Sequence, residues 1–230
     1  MLFNRLENLI GHDKIEMLKH KHIVVFGLGG VGSFAAEALV RSGIGKLTLV
    51  DYDIVDITNI NRQLIAKTST IGLKKVEVFS RRAKDINPDI QIIAIDEAVN
   101  QDNVLSILNP LPDFVLDCID DVAGKLELVK ACQTKQIPLI LAMGFANKFH
   151  PEMIRLSTLK KTSVCPLARS VRKLVRDHGL SLDVACVYSE EKPAQVIDKT
   201  ILGSTAFCPS SAGLMMASYV INQILEGDAL

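Results

Sequence analysis

The sequence predicts an α/β protein built on a doubly wound, mainly parallel sheet that is flanked by helices and followed by a C-terminal elaboration. Strand-like and helix-like patterns alternate over residues 22–143, as they do where crossover helices connect parallel strands. The apolar runs that open residues 23–26 and 114–121 are typical of strands buried on both faces. A glycine-rich turn follows the first run, which makes the predicted sheet Rossmann-like.

Bulk composition favours a globular chain and narrows its function. Of 230 residues, 48% are hydrophobic and 23% are charged, which is sufficient for a sizeable core. Basic and acidic residues number 26 each, so a strongly basic surface over the whole chain is excluded, although a local one is not. Five cysteines without a C-x-x-C spacing argue against a disulfide framework and a four-cysteine zinc site. Neither a secretory signal nor a membrane-spanning run is visible, so we expect a cytoplasmic protein without a membrane partner.

Residues 22–53 follow the pattern strand, glycine turn, helix and second strand. The turn contains Gly27, Gly29, Gly30 and Gly32. Three of these glycines have the G-x-G-x-x-G spacing, which lets the backbone turn tightly and approach a phosphate group. The helix predicted over 30–41 would direct its free amide groups at that phosphate. Asp51 lies where a ribose-binding acid is expected after the second strand, so the sequence predicts a nucleotide site.

A polar segment follows Asp51. It contains Asp53, Asp56, Thr58, Asn59, Asn61, Arg62 and Gln63, interleaved with Ile54, Val55, Ile57 and Ile60. We expect the apolar residues to anchor this loop to the core. Arg62 and Asn59 suit a site that holds a triphosphate, because a guanidinium group offers a planar fork of donors. The alternative is a capped loop in which Asp and Asn side chains only satisfy backbone amides.

A helix predicted over residues 70–83 brings further basic groups. Its side chains Lys74, Lys75, Arg81 and Arg82 are expected to be exposed. A lysine near the start of this helix would face the phosphates, whereas most helix lysines are only solvated. Further predicted elements are a strand at 91–95, a helix near 102–108, a helix at 122–135 and strands at 137–143 and 153–156.

Two acids, Asp120 and Asp121, end the strand predicted over residues 114–121. Ligands in open α/β sheets bind beyond the carboxyl ends of the strands. A magnesium ligand that bridges phosphates is therefore expected here. The alternative is that one of these acids caps the helix that follows, and one acid can cap while the other binds metal.

The second half of the chain contains one concentrated basic region. Its residues are Lys160, Lys161, Arg169, Arg172, Lys173 and Arg176. The last four recur at helical spacing and share one face, which suits either a phosphate backbone or plain solvent. Residues 189–204 are expected to form a mobile polar loop. A helix that begins near Pro209 is apolar on most sides, so we expect it to be buried against the sheet or a second subunit.

Four motifs resemble those of the ThiF/MoeB/HesA family, the ubiquitin-activating-like adenylyltransferases. They are G-L-G-G-V-G, D-Y-D-I-V-D-I-T-N-I-N-R-Q, I-G-L-K-K-V-E and D-C-I-D-D, in this order. The resemblance implies one adenylation domain over residues 1–230, with a nucleotide-binding core at 22–145 and a substrate-binding and dimer elaboration at 146–230. It also implies ATP and Mg²⁺ as cofactors.

The resemblance implies roles for individual residues as well. The implied nucleotide-binding residues are Gly27, Gly29, Gly30, Gly32, Asp51, Asp53, Asn59, Arg62, Lys75 and Asp121; the implied catalytic residues are Arg5, Arg62, Lys75 and Asp120, with Asp120 as the metal ligand. Periodicity alone places Arg5 in one of two short amphipathic helices within residues 1–21, as a surface arginine. The family, however, donates an arginine at this position into the partner subunit's site, which implies a homodimer.

Three later segments are similar to one branch of the family, which dehydrates threonylcarbamoyladenosine in tRNA. They are K-T-S-V-C-P-L-A-R, C-V-Y-S-E-E and G-S-T-A-F-C-P-S-S-A-G. This similarity implies a tRNA substrate whose threonyl carboxylate is activated as an acyl adenylate and then cyclised, with release of AMP and pyrophosphate. The basic region at 160–176 would then contact the tRNA.

Two alternatives stay open. The first is activation of the C-terminal carboxylate of a ubiquitin-like sulfur carrier, although this chain lacks the paired C-x-x-C zinc motifs of those relatives. A cysteine desulfurase or sulfur-acceptor system is a related partner, because Cys165 and Cys186 lie in the region where relatives carry reactive sulfur. The second is a module that binds NAD, which fits the glycine turn but not the segment at 53–63.

Overall fold

The computed structural model describes residues 2–198 and 200–226. The strands are β1 His22–Phe26, β2 Lys46–Val50, β3 Gln91–Ile95, β4 Phe114–Asp117, β5 Leu139–Ala142, β6 Ile154–Thr158 and β7 Ala185–Ser189. The helices are α1 Asn4–Ile10, α2 His12–Lys19, α3 Gly32–Arg41, α4 Lys75–Ile86, α5 Val104–Ile107, α6 Val122–Lys135, α7 Pro166–Asp177 and α8 Phe207–Glu226.

The strands within the described residues form one seven-stranded sheet in the order β3-β2-β1-β4-β5-β7-β6. All neighbouring strands are parallel except the edge strand β6, which runs antiparallel to β7. The chain leaves β1 towards β2 on one side and later returns to place β4 on the other side. This reversal creates a crevice at the carboxyl ends of β1 and β4, the place where such sheets bind ligands. The predicted fold class is confirmed.

A hydrophobic core lies on each face of the sheet. Strand β1 shows why, because Ile23 and Val25 point into one core while Val24 and Phe26 point into the other. This alternation is the period of two that a strand imposes on its side chains. The first core includes α3, α4 and α8, and the second includes α6 and α7.

Helix α8 packs within the same chain. Its residues Ala212, Met216 and Val220 are buried in the first core. Gly213 lies so close to the start of α3 that an added Cβ would overlap the carbonyl oxygen of Val31. The sequence left open whether this helix packs against the sheet or against a second subunit. In the structure it packs against the sheet and α3 of its own chain. None of the described helices combines the length and apolar character that crossing a bilayer requires.

Several element boundaries differ from the sequence-based expectation. Helix α4 begins at Lys75 rather than at residue 70, because Gly72 has a φ of 83° and a 3₁₀ turn occupies Thr68–Thr70. Strand β4 ends at Asp117, so the acids that follow it lie in a turn. Strand β7 was not predicted at all, because its five residues give only a short apolar stretch beside an expected loop.

The segment that connects β7 to α8 is fastened to the turn after β5. The Asn147 backbone amide donates to the Gly203 carbonyl at 2.8 Å, and the Asn147 carbonyl accepts from the Ala194 amide at 2.7 Å. The carboxylate of Glu191 accepts the backbone amides of Phe149 and His150. Both ends of this segment are thereby held at the carboxyl edge of the sheet, where the crevice lies.

Candidate functional site

Three chain segments meet at the carboxyl edge of the sheet. The Gly27 amide donates to the Val50 carbonyl at 2.8 Å, and the Cys118 amide donates to the Phe26 carbonyl at 2.8 Å. The glycine turn is therefore flanked by the segment after β2 and the segment after β4. This arrangement brings together the predicted glycine turn, the polar segment and the acid pair.

At two of the four glycines, close packing within the protein leaves no room for a side chain. Gly27 has a φ of 87°, and an added Cβ would come within 2.9 Å of the Cys118 carbonyl oxygen. An added Cβ at Gly32 would overlap the carbonyl oxygen of Gly27. Both positions therefore allow α3 to begin directly against the ends of β1 and β4. At Gly30 an added Cβ would lie 3.0 Å from Pro209, the third residue of α8.

Gly29 is different. The nearest heavy atom to an added Cβ is Nε2 of Gln63, at 3.9 Å, and no strained φ requires glycine at this position. Its open space faces the polar segment, where the buried Gln63 has an Oε1 atom without a hydrogen-bond partner among the described residues. A glycine that the protein's own packing does not require suits the close approach of a ligand backbone such as a phosphate chain.

The Asp51 carboxylate connects the glycine turn to the segment after β2. Its Oδ2 accepts the Leu28 amide at 2.5 Å, and its Oδ1 accepts the Asp53 amide at 2.8 Å. Burial raises the pKa of the Asp51 carboxyl, while the nearby Lys75 ammonium opposes that shift. Each oxygen keeps a further lone pair, so a ribose hydroxyl remains a possible donor, and the predicted ribose contact stays a prediction.

Lys75 is buried, contrary to the expectation that it is exposed on its helix. Its Nζ lies 2.7 Å from Oδ2 of Asp53, and its backbone amide donates to the Asp53 carbonyl at 3.0 Å. The late start of α4 explains the burial, because it makes Lys75 the first helical residue and turns it towards the core. The Asp53 carboxylate is half-exposed, so the pair lies at the border between protein and crevice.

The expectation that isoleucines anchor the polar segment is wrong for three of the four apolar residues. Val55 is buried, but Ile54, Ile57 and Ile60 are 56%, 66% and 40% exposed. A 3₁₀ turn spans Ile57–Asn59 and ends at Ile60, whereas Ile54 lies before it and forms an isolated β-bridge with Lys74. The segment thus presents an apolar surface beside the crevice.

Hydrogen bonds within the polar segment hold its predicted phosphate ligands. Asp56 caps the 3₁₀ turn through the Thr58 amide at 2.8 Å, and Oδ1 of Asn59 accepts the Asp56 amide at 3.2 Å. Arg62 donates through Nη1 to the Thr58 carbonyl at 2.8 Å. The Cγ atom of Arg62 also lies 3.5 Å from an added Cβ at Gly30. Asp56 and Asn59 therefore satisfy backbone amides as in a capped loop, the phosphate contact of Asn59 stays a prediction, and Arg62 lies alongside the glycine turn.

The two acids after β4 have separate roles. Oδ2 of Asp121 accepts the Gly124 amide at 2.6 Å and caps α6. Asp120 is exposed and makes no hydrogen bond or ion pair with the described residues. The pKa of the Tyr52 hydroxyl is raised chiefly by the charge of Asp53, then by burial and by the charge of Asp120, so both acids lie within electrostatic reach of Tyr52.

A carboxylate in this setting fits magnesium. The residues described contain no cluster of three or more His, Cys, Asp or Glu side chains that would enclose a metal ion. Mg²⁺, however, commonly takes one or two carboxylates and completes its shell with water and substrate phosphates. The free carboxylate of Asp120 matches that requirement better than Asp121, which is occupied as a cap.

Arg5 lies at the opposite edge of the sheet. The ring of the preceding Phe3 packs against Gly43, after the end of α3. Phe3 also lines a cavity with His22 and Lys46, the first residues of β1 and β2. Helix α1 is therefore at the amino edge, and Arg5 does not reach the glycine turn of its own chain.

The basic region is divided between a 3₁₀ turn at Leu159–Lys161, which holds Lys160 and Lys161, and helix α7, which holds the other four residues. Ala168, Val171 and Val175 of α7 are buried. The exposed members of the predicted tRNA-contact set are Lys160, Lys161, Arg169, Lys173 and Arg176. Arg172 is half-buried and donates through Nη1 to the carbonyl and hydroxyl of Thr162, so it is held by the protein. Helix α7 begins beside Gly144, just after β5, at the same edge as the glycine turn.

The cysteines are poorly placed for reaction. Cys165 is 3% exposed and Cys186 is fully buried. Burial raises the pKa of the Cys186 thiol to about 12 and raises that of Cys118 as well. Reactive thiols have a lowered pKa and some exposure. The structure therefore offers no support for a catalytic role of Cys165, which is buried, or of Cys186, which is buried and has a raised pKa.

The fold and the glycine turn are those of a nucleotide-binding α/β protein, and the segments that flank the turn carry Arg62, the Lys75–Asp53 pair and the free carboxylate of Asp120. The chain belongs to the ThiF family, whose model matches residues 3–229. It is 39% identical to the tRNA threonylcarbamoyladenosine dehydratase of Bacillus subtilis, over 97% of this chain and 94% of that protein.

A solved structure is similar over nearly the whole chain. It is the tRNA N6-threonylcarbamoyladenosine dehydratase of Escherichia coli in complex with AMP, with a TM-score of 0.93, 34% identity, and coverage of 97% of this chain and 94% of that one. The same enzyme in complex with ATP gives a TM-score of 0.92. The molybdopterin-synthase adenylyltransferase of Escherichia coli is 38% identical over only 56% of this chain and 51% of that protein.

The different environments of Gly29 and Gly32 yield a first prediction. Gly29→Ala is expected to change the free energy of unfolding by less than about 0.5 kcal/mol, because its Cβ meets no close atom. The variant should nevertheless bind ATP roughly tenfold more weakly, equivalent to about 1.4 kcal/mol. The measurements are denaturant unfolding and isothermal titration with ATP.

Gly32→Ala serves as the matched comparison. Overlap with the Gly27 carbonyl is expected to destabilise the fold by about 1–3 kcal/mol. A Gly29→Ala variant that binds ATP as well as the unmodified protein would show that the open space at Gly29 is not used by the nucleotide.

Proposed function

We propose that this chain is an ATP-dependent tRNA threonylcarbamoyladenosine dehydratase. One observation carries the proposal: the glycine turn, with open space at Gly29, is flanked by the segment that holds Arg62 and the Lys75–Asp53 pair and by the segment that carries Asp120, in a chain similar to such dehydratases from end to end. Full-length similarity matters because residues beyond 145 carry the elements that would meet the tRNA. The chain would work as one domain, with its core at 22–145 and its elaboration at 146–230.

In the proposed complex the phosphates of ATP lie over Gly29, at the N-terminal end of α3. The free amides of the first helical turn and the helix dipole favour a phosphate at this position. Asp51 would accept a ribose hydroxyl. Lys75 would exchange part of its interaction with Asp53 for a phosphate oxygen, and Arg62 would exchange its backbone carbonyl partner in the same way.

Asp120 would hold Mg²⁺ together with the phosphates. The ion would supply charge neutralisation on the phosphate oxygens. Asp121 would act on the site indirectly, by capping α6 and fixing the turn that carries its neighbour.

The first chemical step proposed is attack by the threonyl carboxylate of the modified adenosine on the α-phosphorus of ATP. A bond forms between the carboxylate oxygen and phosphorus, and the bond to the bridging oxygen breaks with loss of pyrophosphate. No general base is required, because a carboxylate is already ionised at neutral pH. The role of Lys75 and Arg62 is to neutralise the charge that develops on the phosphates.

The second step closes a ring. A nucleophilic atom of the same modified nucleoside forms a bond to the activated carbonyl carbon, and the bond to AMP breaks. The nucleophile gives its proton to solvent, and AMP leaves with one oxygen of the original carboxylate. The nucleoside has then lost the elements of one water molecule.

A homodimer would complete the site. Because α1 lies at the amino edge of its own sheet, Arg5 is available to a second subunit rather than to its own crevice. The exposed residues Ile54, Ile57 and Ile60 beside the crevice would be buried in such an assembly, which favours association. An arginine from the partner would then join Arg62 at the phosphates.

The exposed basic face of α7 would hold the tRNA backbone. Its first turn lies beside Gly144 at the edge of the crevice, so a bound anticodon loop would reach the nucleotide. We propose the cytoplasm, where tRNA is modified, as the place of action.

The principal alternative is activation of a ubiquitin-like sulfur carrier, possible in principle because the adenylation step is the same. The shorter similarity to a molybdopterin-synthase adenylyltransferase weighs against it. A partner in a sulfur-transfer system would need an accessible thiol, whereas Cys165 and Cys186 are buried. The reaction proposed here uses no thiol.

The proposed tRNA substrate can be tested by measuring the mass of the modified nucleoside. The protein is incubated with ATP, Mg²⁺ and tRNA from cells that lack this activity, and the anticodon-loop nucleoside is then measured by mass spectrometry. We expect the loss of one water, dependent on ATP. Intact nucleoside, combined with AMP formation on a carrier protein, would favour the sulfur-carrier alternative instead.

The shared site is tested with mixed dimers. Arg5→Ala and Arg62→Ala homodimers are each expected to lose most activity, but co-expression should restore about a quarter of the wild-type rate, since half of the dimers are mixed and each has one intact site. The measurement is AMP release from the purified mixture.

A chain that uses its own Arg5 gives the opposite result, because every site in the mixture then lacks one arginine. Absence of restoration in dimers shown to be mixed would therefore contradict a site shared between subunits.

The tRNA surface is tested by charge reversal. Arg169→Glu combined with Lys173→Glu is expected to weaken tRNA binding roughly tenfold or more and to lower the slope of log affinity against log salt by about 2. Titration at several salt concentrations provides both numbers. The control, Arg81→Glu with Lys84→Glu, alters two exposed basic residues on α4, on the opposite face of the sheet. Equal losses in both variants would assign the effect to net charge rather than to α7.

A further inference from the structure

A buried ion pair lies at the base of the turn that carries Asp120, the proposed metal ligand. Asp117, the last residue of β4, and Lys125 of α6 are both fully buried, and Nζ of Lys125 lies 3.0 Å from Oδ1 of Asp117. Lysine and aspartate are rarely buried in this way. Neither residue has a part in the reaction proposed above, so their location at the crevice requires an explanation.

The pair joins three elements at the edge of the sheet. Nζ of Lys125 donates a second hydrogen bond to the carbonyl of Ala142, the last residue of β5, at 2.7 Å. Oδ1 of Asp117 also accepts the Ile119 amide at 3.2 Å. The ammonium group therefore connects α6 to the carboxyl ends of β4 and β5, while the carboxylate shapes the turn that leaves β4.

That turn carries Asp120. It is fixed at its beginning by the bond between Asp117 and Ile119, and at its end by the Asp121 cap on Gly124, the residue before Lys125. Its backbone also forms the wall against which Gly27 packs. Asp120 is the side chain of this turn that is left free to face the crevice.

Stability alone is a poor explanation for the pair. Burying two charges costs desolvation energy that the attraction between them often only offsets, and apolar residues of similar volume frequently serve the fold as well. Oδ2 of Asp117 is buried without a hydrogen-bond partner among the described residues, which adds a further cost. Such a pair is better suited to fixing a geometry than to maximising stability.

We infer that the Asp117–Lys125 pair is a positioning device that sets the turn after β4, so that the Asp120 carboxylate meets Mg²⁺ bound to ATP. The inference rests on the proposed function for the identity of the nucleotide and the metal. It assigns no contact with substrate to either residue, and both act only through Asp120 and the wall behind Gly27.

The test removes the charges and keeps the packing. Asp117→Leu combined with Lys125→Met replaces the pair by apolar groups of similar size. Thermal unfolding reports the fold, and calorimetric titration with ATP at a series of Mg²⁺ concentrations, without tRNA, reports the site. We expect near-normal unfolding, an affinity for ATP in the presence of Mg²⁺ lowered roughly tenfold or more, and little change in the affinity measured with a metal chelator present.

The matched control is Glu127→Leu combined with Lys130→Met, which removes an ion pair from the outer side of the same helix. Its binding of ATP should equal that of the wild type at every Mg²⁺ concentration. If the double variant of the buried pair does not fold, Lys125→Gln takes its place, since glutamine keeps a donor but is too short to reach both Asp117 and Ala142. Circular dichroism then confirms that this variant is folded before titration.

The outcomes separate the two proposals. A folded variant of the pair with unchanged Mg²⁺ dependence overturns the positioning role and leaves the proposed function intact. A wild-type protein that binds no ATP with Mg²⁺ overturns the proposed function itself. A loss confined to Mg²⁺-dependent binding supports both.

Discussion

The close contact between the glycine turn and the end of β4 is the constraint on which the rest of the site depends. Gly27 lies against the Cys118 backbone and under Gly32, with no room for a side chain at either glycine. Only this approach lets α3 begin at the centre of the crevice and point its free amides outwards. Because the same contact fixes the chain after β4, it also determines where Asp120 can lie relative to a phosphate over the turn.

Around this contact, the basic groups of the site already have hydrogen-bond partners before any ligand binds. Asp53 neutralises Lys75, and Arg62 is held by a backbone carbonyl of its own loop. The basic groups therefore have ordered positions in the partly buried crevice, because Lys75 is ion-paired and Arg62 donates to a neutral carbonyl. A triphosphate would compete for groups that are already oriented, which reduces the ordering cost of binding, while the negative charge of Asp53 would disfavour an anion unless a cation arrives with it. In the proposed complex, this arrangement would favour the joint binding of ATP and Mg²⁺ over either alone.

Much of this arrangement was predictable from the sequence, and the exceptions have physical reasons. The glycine spacing, Asp51, Asp121 and the α6 boundaries follow from local rules about turns, caps and strand ends. Burial could not be predicted in the same way: Lys75 and Lys125 look like ordinary helix lysines, and their carboxylate partners, Asp53 and Asp117, are 22 and 8 residues distant. The outward orientation of Ile57 and Ile60 was missed because they lie in or directly after a 3₁₀ turn that the sequence does not indicate, and β7 is visible only as a partner of β5 and β6.

The position of Asp120, the proposed magnesium ligand, on a turn that other residues hold affects the cost of binding a cation. Asp120 itself makes no bond within the described residues, so its orientation is inherited entirely from backbone that Asp117, Lys125 and Asp121 hold. A carboxylate that is free but mounted on a rigid turn loses little entropy when it meets a cation, and it does not have to break an existing ion pair first. At the other side of the crevice Lys75 is already ion-paired with Asp53, so this interaction must be partly broken when a ligand binds. The crevice thus has the ion-paired Lys75 on one side and the unpaired carboxylate of Asp120 on the other. This arrangement suits the proposed substrate, a nucleotide that carries both phosphates and a metal ion.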